Sequence, residues 1–439
     1  MRREGQQNIN HFFSSLHALG IRHIVVSPGS RNAPLLQAAV AHAGFSVLTV
    51  VDERSAAYKA LGMAQITQVP VVLICTSGTA LLNYFPAIAE AKHSAIPLIV
   101  LSADRPSALL NSWENQSINQ QKVFGNYVNK FFAWKGLFER NRCLGKVERL
   151  AMKMYAALQF PDPGPVHLNF ELSEPLYFPD EIGFKPTFSL KKSIKSYTPK
   201  YFEDKLPNKA KQILVVCGSG PYNENTFQDL ATLKSAGAVI LCDLLSPYRS
   251  LNTEPTWEAA LASLTEDNWL LLKPDTLVTT GRYLLNKKLK TLLKKFPPAQ
   301  HLHLADTNLK YDPYQSKPKW SHSINESLII HPASDHSFLL SWETLFKKQL
   351  NHIETAFKEE TMLNELSAIG SFLALLPAQS VLHIANSMSI RYVAFWGLST
   401  AVNCMSNRGT SGIDGCLSTA VGAALAAPNL KHFVLIGDL

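Results

Sequence analysis

The sequence predicts an α/β chain of three doubly wound parallel-sheet domains, the last of them incomplete. Three observations lead there. Apolar strands alternate with helical stretches from Ile21 onward, the order expected of parallel strands joined by crossover helices. The pattern dissolves into Pro, Lys and Ser between about Phe178 and Pro207 and then resumes, as at a linker. A third series opens after Glu359 and stops at Leu439, directly after a strand that a crossover helix and more strands would be expected to follow. The expected boundaries are 1–180 for the N-terminal domain, 181–207 for the linker, 208–350 for a central Rossmann-like domain and 351–439 for the start of the third.

Composition narrows the function classes. At 439 residues, 46% hydrophobic and 17% charged, the chain is long enough for several cored domains and is not of disordered type. Its net charge of +8 and pI near 9.0 could suggest a nucleic-acid partner. The basic residues are dispersed, however, apart from Lys287, Lys288, Lys290, Lys294 and Lys295, which read as the solvated face of a helix. Positive charge also suits small anionic substrates, though it speaks to steering and not to chemistry. Cys75, Cys143, Cys217, Cys242, Cys404 and Cys416 show no metal-ligand or disulfide spacing and read as small apolar residues. Met1 to Asn10 is polar, and no stretch reaches the roughly eighteen apolar residues of a membrane span, so a cytoplasmic protein is expected.

Taken in order, Ile21 to Ser27 is a strand, and Pro28-Gly29 a turn into a helix reaching Ala43, with Ser30 or Asn32 as the cap. Arg31 either serves a polar role at the sheet edge or is solvated. Val47 to Val51 is a β-branched run suited to a strand buried on both faces. It enters a helix in which Ala56, Ala57, Ala60, Leu61 and Ala64 recur at helical spacing and are mostly small, a face able to pack closely on another helix. Glu53 lies at that junction, on the edge where open α/β sheets bind ligands. Alternatively it complements the helix dipole. Val69 to Cys75 and Pro97 to Ala103 are the next strands, with a helix from Leu81 to about His93 between them. Small and hydroxyl residues, Ser77-Gly78-Thr79 among them, gather at the same edge, where glycine admits a close ligand and helix amino ends favour anions. The amide-rich segment with Asn115 and Gln116 reads as surface loop.

After a further strand, Val166 to Leu172, and the linker, the central domain has strands at Gln212 to Cys217, Ala238 to Leu245, Thr276 to Thr280 and His301 to Ala305. Gly218-Ser219-Gly220 follows the first of these without the full dinucleotide fingerprint, so the domain reads as a structural spacer. The third series comprises a helix from Glu359 to Leu376, a strand Ser380 to Ala385, and Asn386 to Arg391 entering a helix. It continues with a glycine-rich loop from Cys404 to Gly415, a helix of small residues from Cys416 to Ala427, and a buried strand from Phe433 ending in Gly437-Asp438.

Ser-Pro-Gly-Ser-Arg at 27–31, Asp-Glu-Arg at 52–54, Thr-Ser-Gly-Thr-Ala at 76–80, Ala-Asp-Arg-Pro at 103–106, Asn-Gln at 115–116, Ser-Asn-Arg-Gly at 406–409 and Ser-Gly-Ile-Asp-Gly at 411–415 stand in one order. Together they resemble the thiamine diphosphate-dependent enzymes, and within them the 2-succinyl-5-enolpyruvyl-6-hydroxy-3-cyclohexene-1-carboxylate synthase family of menaquinone biosynthesis. The resemblance covers the first and third series, and the central domain only in pattern. It implies the thiamine diphosphate-binding fold, with a pyrimidine-binding N-terminal domain and a diphosphate-binding third domain. The implied cofactors are thiamine diphosphate and Mg²⁺ or Mn²⁺, the implied substrates 2-oxoglutarate and isochorismate, and the implied assembly a homodimer or homotetramer without nucleic acid or membrane span. Glu53 matches the catalytic glutamate that hydrogen-bonds a ring nitrogen of the cofactor. Ser77, Gly78, Thr79, Gly412, Gly437 and Asp438 match cofactor-binding positions, Asp438 being also the metal ligand. The resemblance offers Ser387, Arg391 and Arg408 for the succinyl side and Ser30, Arg31, Arg105, Asn115 and Gln116 for isochorismate. Both substrates are polyanions, which call for forked guanidinium donors.

Leu439 stands where a second glycine is common in the wider superfamily, and a later metal ligand expected of the family is not in the sequence. The expectation is therefore a chain truncated in its cofactor domain, with weak cofactor binding. The alternatives are another thiamine diphosphate-dependent decarboxylase or carboligase, which Ser27 to Leu35 and Ser406 to Gly409 argue against, and an inactive fragment.

Overall fold

The computed structural model describes residues 3–109, 115–136, 142–159, 162–177, 204, 210–305, 310–324, 336–359 and 362–437. The chain divides into two compact units, Met1–Thr198 with Asn407–His432, and Pro199–Ser406 with Phe433–Leu439. The linker expected at 181–207 lies outside the described residues apart from Asp204.

In the first unit β1 (His23–Val26), β2 (Ser46–Thr49), β3 (Val71–Cys75), β4 (Leu98–Asp104), β5 (Lys130–Trp134) and β6 (Val166–Glu171) form one sheet in the order β2-β1-β3-β4-β6-β5. Every pair is parallel. β3, β4 and β6 are buried throughout, as their unbroken apolar character requires. The strand expected to be buried on both faces is corrected: β2 is an edge strand, half-exposed, and Val51 beyond it is 82% exposed. β-Branched residues favour any pleated surface, and edge or centre is decided by partners distant in sequence.

The helix Arg3–Ala18 is hidden behind a polar start. Ile9, Phe12, Phe13 and Leu16 follow helical spacing and are fully buried. The Phe12 ring lies edge-on to Trp134 and Phe170 at 6.0 and 5.8 Å, tying the amino terminus to β5 and β6. The small-residue helix Glu53–Thr67 packs on the helix Cys416–Ala426 of the same unit. A Cβ on Gly62 would lie 1.9 Å from the Thr419 carbonyl oxygen and one on Gly422 2.0 Å from that of Lys59, so the two backbones touch where they cross.

The second unit holds β7 (Ile213–Cys217), β8 (Val239–Cys242), β9 (Thr276–Thr280), β10 (Gln300–Leu304) and the short edge strand β11 (Lys319–Ser321), in the order β11-β10-β9-β7-β8. Its core is built on Trp257, Trp269 and Trp342. The lysine run forms the helix Lys287–Lys295, which buries Leu289, Leu292 and Leu293. A further sheet of β12 (Ser380–Ile384), β13 (Asn403–Met405) and β14 (Lys431–Leu435) has the order β13-β12-β14. All three sheets are parallel, the α/β architecture expected.

Two expectations change here. The helix expected from Glu359 to Leu376 is two helices, Ser337–Glu359 and Glu365–Ala374, because Asn364 opens the second with a reciprocal capping box to Ser367. The last strand is partly exposed rather than buried, with Ile436 beyond it 44% exposed, since β14 lies at a sheet edge.

Candidate active site

Glu53 is the first residue of its helix, but the capping work there is done by Asp52, whose Oδ1 accepts the Ser55 amide at 2.7 Å. The Glu53 carboxylate is partly buried and makes no hydrogen bond or ion pair among the described residues. It lies close enough to Cys75 and Tyr84 for its charge to add to the burial that raises the thiol and the phenol. A carboxylate in this setting, beside the carboxyl end of β3 and with its acceptors open, suits a ligand that donates a hydrogen bond.

The adjoining loop is made for close approach. Gly78 has φ +84°, and Ser77 before it is buried. The Thr76 hydroxyl is buried with no hydrogen-bond partner. A 3₁₀ turn from Gly78 to Tyr84 precedes the helix Phe85–His93, where one continuous helix from Leu81 was expected. Thr79 is exposed on that turn. The Gln116 side-chain amide donates to the Ser77 carbonyl at 3.3 Å, and Arg105 Nε donates to the Asn115 carbonyl at 2.9 Å. Ser77, Gly78, Arg105, Asn115 and Gln116 are thus brought together at one sheet edge.

Ser30 is exposed in the first turn. Asn32 occupies the cap position but does not cap its helix; its Oδ1 accepts the Gly29 amide and its Nδ2 donates to the Ser27 carbonyl, closing the turn instead. Arg31 is not solvated: it is 8% exposed, donating to the Leu172 carbonyl at 3.1 Å and to Glu174 Oε1 at 3.4 Å.

Arg408 and Gly412 belong to the first unit. The loop between them is held by Glu90, which the sequence reading missed. This carboxylate is 1% exposed; Oε1 accepts the Gly409 amide at 2.7 Å, and Oε2 accepts the Thr410 amide and hydroxyl at 2.7 and 2.8 Å. Asp414 on the same loop accepts from Tyr58 at 2.8 Å. Burial, followed by that bond and its charge, raises the Tyr58 phenol.

Ser387, Arg391 and Gly437 belong to the second unit. Ser387 opens the helix Met388–Trp396 at φ +70°, a conformation unusual for a residue with a Cβ, and Arg391 is exposed one turn later. Gly437 is exposed, while Asp438 lies outside the described residues. No cluster of metal-ligating side chains occurs among the described residues.

Comparison with known proteins bears on this arrangement. The model of the thiamine pyrophosphate enzyme N-terminal TPP binding domain matches residues 9–123, which carry Glu53 and the Gly78 loop. A 2-succinyl-5-enolpyruvyl-6-hydroxy-3-cyclohexene-1-carboxylate synthase from Desulfotalea psychrophila is 35% identical over 99% of this chain and 81% of its own length. The chain belongs to this synthase family. Members from Cytophaga hutchinsonii and Flavobacterium psychrophilum are 35% and 32% identical, each over 96% of this chain and 76% of their own length. Membership makes the chain a thiamine diphosphate-dependent enzyme of the transferase class. The residues fit that cofactor: an open carboxylate, an unpartnered buried hydroxyl and a glycine of positive φ lie around one sheet edge. Among the described residues no helix is long and apolar enough to cross a membrane.

Proposed function

We propose that the chain decarboxylates 2-oxoglutarate with thiamine diphosphate and adds the succinyl unit to isochorismate in a 1,4 sense. The product is 2-succinyl-5-enolpyruvyl-6-hydroxy-3-cyclohexene-1-carboxylate, on the route to menaquinone. The observation that carries this reading is the match to synthases of that name along 96–99% of the chain.

Bound thiamine diphosphate supplies the electron sink that decarboxylation requires and side chains lack. Glu53 accepts the hydrogen bond of a cofactor ring nitrogen, and its charge decides which ring nitrogen holds the proton. Ser77, Gly78, Thr79, Gly412 and Gly437 let backbone approach the cofactor, and Asp438 binds the Mg²⁺ or Mn²⁺ that offsets its diphosphate. Arg105, Asn115, Gln116 and Ser30 orient isochorismate. Arg31 joins them by exchanging Glu174, whose side chain is 73% exposed, for a substrate carboxylate. Ser387, Arg391 and Arg408 take the carboxylates of 2-oxoglutarate. The enzyme is a cytoplasmic homodimer or homotetramer; the small-residue face of the Glu53 helix is already packed within the first unit, so this assembly rests on the family resemblance alone.

Glu53→Gln is the direct test, because the amide is nearly isosteric and lacks the charge. Turnover should fall by about a thousandfold or more while the unfolding midpoint shifts little. Activity within tenfold of wild type would remove Glu53 from this role.

A further inference from the structure

The carboxyl ends of β3, β4 and β6 enclose a chain of buried polar side chains to which the proposed reaction assigns no role. Gln120 is fully buried. Its Oε1 accepts the Gly78 amide at 2.8 Å, and its Nε2 donates to Asn169 Oδ1 at 2.8 Å and to the Ala103 carbonyl at 3.1 Å. Asn169, 2% exposed, accepts from Ser102 Oγ at 2.6 Å and donates to Asp104 Oδ2 at 2.7 Å. The other Asp104 oxygen accepts the Arg105 amide at 2.8 Å. A continuous hydrogen-bonded path therefore runs from the Gly78 loop to the backbone of Arg105.

Each amide in the path has one workable orientation. Reversing Gln120 would set its NH₂ against the Gly78 N–H and its oxygen against the Ala103 carbonyl. The far end is consistent with this: Ser102 spends its hydrogen on Asn169, so His167 Nε2, 2.7 Å from the same hydroxyl, is the donor there. That leaves His167 Nδ1 unprotonated, and it has no partner. Burial holds this ring neutral, its pKa pushed down to about 3.

We propose that Gln120 and Asn169 are positioning residues that hold the Gly78 loop and Arg105 in one register, so that cofactor and second substrate are presented to each other at a fixed offset. The inference rests on the reading of Gly78 as cofactor-binding and Arg105 as substrate-binding given above. Packing alone does not ask for these groups, since apolar side chains of equal volume would fill the space without burying polar atoms. The Gly78 amide, at positive φ and outside any strand ladder, needs an acceptor from elsewhere, and Gln120 reaches across 42 residues of sequence to supply it.

The test is backbone hydrogen exchange on the full chain without ligand, alongside calorimetric titration with thiamine diphosphate and Mg²⁺. Gln120→Met should raise exchange in segments 76–80 and 104–106 by about tenfold or more, leave residues 98–102 of β4 protected, and weaken cofactor binding by about tenfold. Ser102→Ala, which loses the arm that reaches neither loop, should lower the unfolding temperature yet keep exchange in both segments within about twofold of wild type. Should Q120M not fold, Gln120→Glu retains the acceptor for Gly78, and the loosening should then be confined to 104–106. Unchanged exchange in both segments, or identical behaviour of Q120M and S102A, would reduce the path to a packing feature and overturn the proposal. Failure of the wild-type chain to take up thiamine diphosphate would overturn it differently, by removing the reading of the Gly78 loop while the exchange result stood.

Discussion

The two large sheets use the same edge in opposite ways. After β7 of the second unit, the Gly218 amide donates to the Thr280 carbonyl at 2.8 Å, the Ser219 amide to that of Tyr283 at 2.9 Å, and the Arg282 amide to that of Ser219 at 2.7 Å. These amides are met by backbone carbonyls, and the Tyr311 hydroxyl donates to the Gly281 carbonyl at 2.7 Å. A Cβ on Gly281 would lie 2.6 Å from the Gly218 carbonyl oxygen, so no room for a ligand remains between these turns. After β3 of the first unit, the Gly78 amide is instead met by a side chain, and nearby Glu53 keeps its acceptors open. Parallel topology brings loops to an edge in both units. Whether an edge becomes a site depends on whether the loops satisfy themselves or are held from beneath by buried amides.

The largest effect expected from this contrast is on stability. Gly281→Ala places a Cβ at φ +74° and 2.6 Å from backbone, which should cost about 3 kcal/mol. Gly78→Ala, at φ +84° but no nearer than 3.2 Å to Gln116, should cost about 1–2 kcal/mol and act mainly on cofactor affinity. Urea midpoints with and without thiamine diphosphate check both. Equal losses of stability with no change in affinity would erase the distinction between the two edges.

Next in size are the guanidinium groups. Arg105→Ala, in the first unit, should raise the apparent KM for isochorismate by about 10–100-fold, and Arg391→Ala, in the second, that for 2-oxoglutarate by a similar factor. Steady-state kinetics with each substrate varied in turn would read this. Both variants acting on the same substrate alone would break the partition.

The contrast between the edges could not be read from the sequence. Strand and helix alternation, the Glu53 junction and the Gly78 turn were legible, because each is written in a short window of apolar spacing or turn residues. The helix Arg3–Ala18 was missed, although Ile9, Phe12, Phe13 and Leu16 carry helical spacing, because the polar residues before them hid its start. Gln120, Asn169 and Glu90 look like ordinary polar residues in a window, and their meaning lies in partners up to 320 positions away. Arg31 was left open for the same reason, since its carbonyl acceptor on Leu172 is 141 residues on.

A third effect separates the units by pH. In the second unit Glu258 lines a cavity of about 370 Å³, its Oε1 buried and unpartnered. Burial, then the charge of Asp243, lifts it to about 8, against the bond from Asn286. The folded form binds this proton more tightly than the unfolded chain, so the stability it contributes is complete below about 4.5 and is lost as pH rises through about 8. Asp104 in the first unit has the same sign in a lower window, burial raising it from 3.8 to about 6. Glu258→Gln should therefore flatten the fall in urea midpoint between about pH 5 and 8, most cleanly above the Asp104 window that ends near 6, and leave the slope above about pH 9 unchanged. An undiminished fall between about pH 6 and 8 would assign that loss to another group.

The smallest effect concerns the lysine helix. Lys295 pairs with Glu266 at 2.6 Å, but both side chains are more than half exposed, at 54% and 56%. Water and salt screen such a pair, and holding two long side chains together costs entropy that offsets much of the attraction. Lys295→Ala should change stability by less than about 0.5 kcal/mol at physiological salt. The buried side of the helix should matter far more, because Leu289 and Leu293 are fully covered and Leu293→Ala leaves a cavity costing about 2–5 kcal/mol. A lysine effect rivalling the leucine effect would mean that the charged face meets a partner. The run from Lys287 to Lys295 would then have to be read as a binding surface rather than a solvated one.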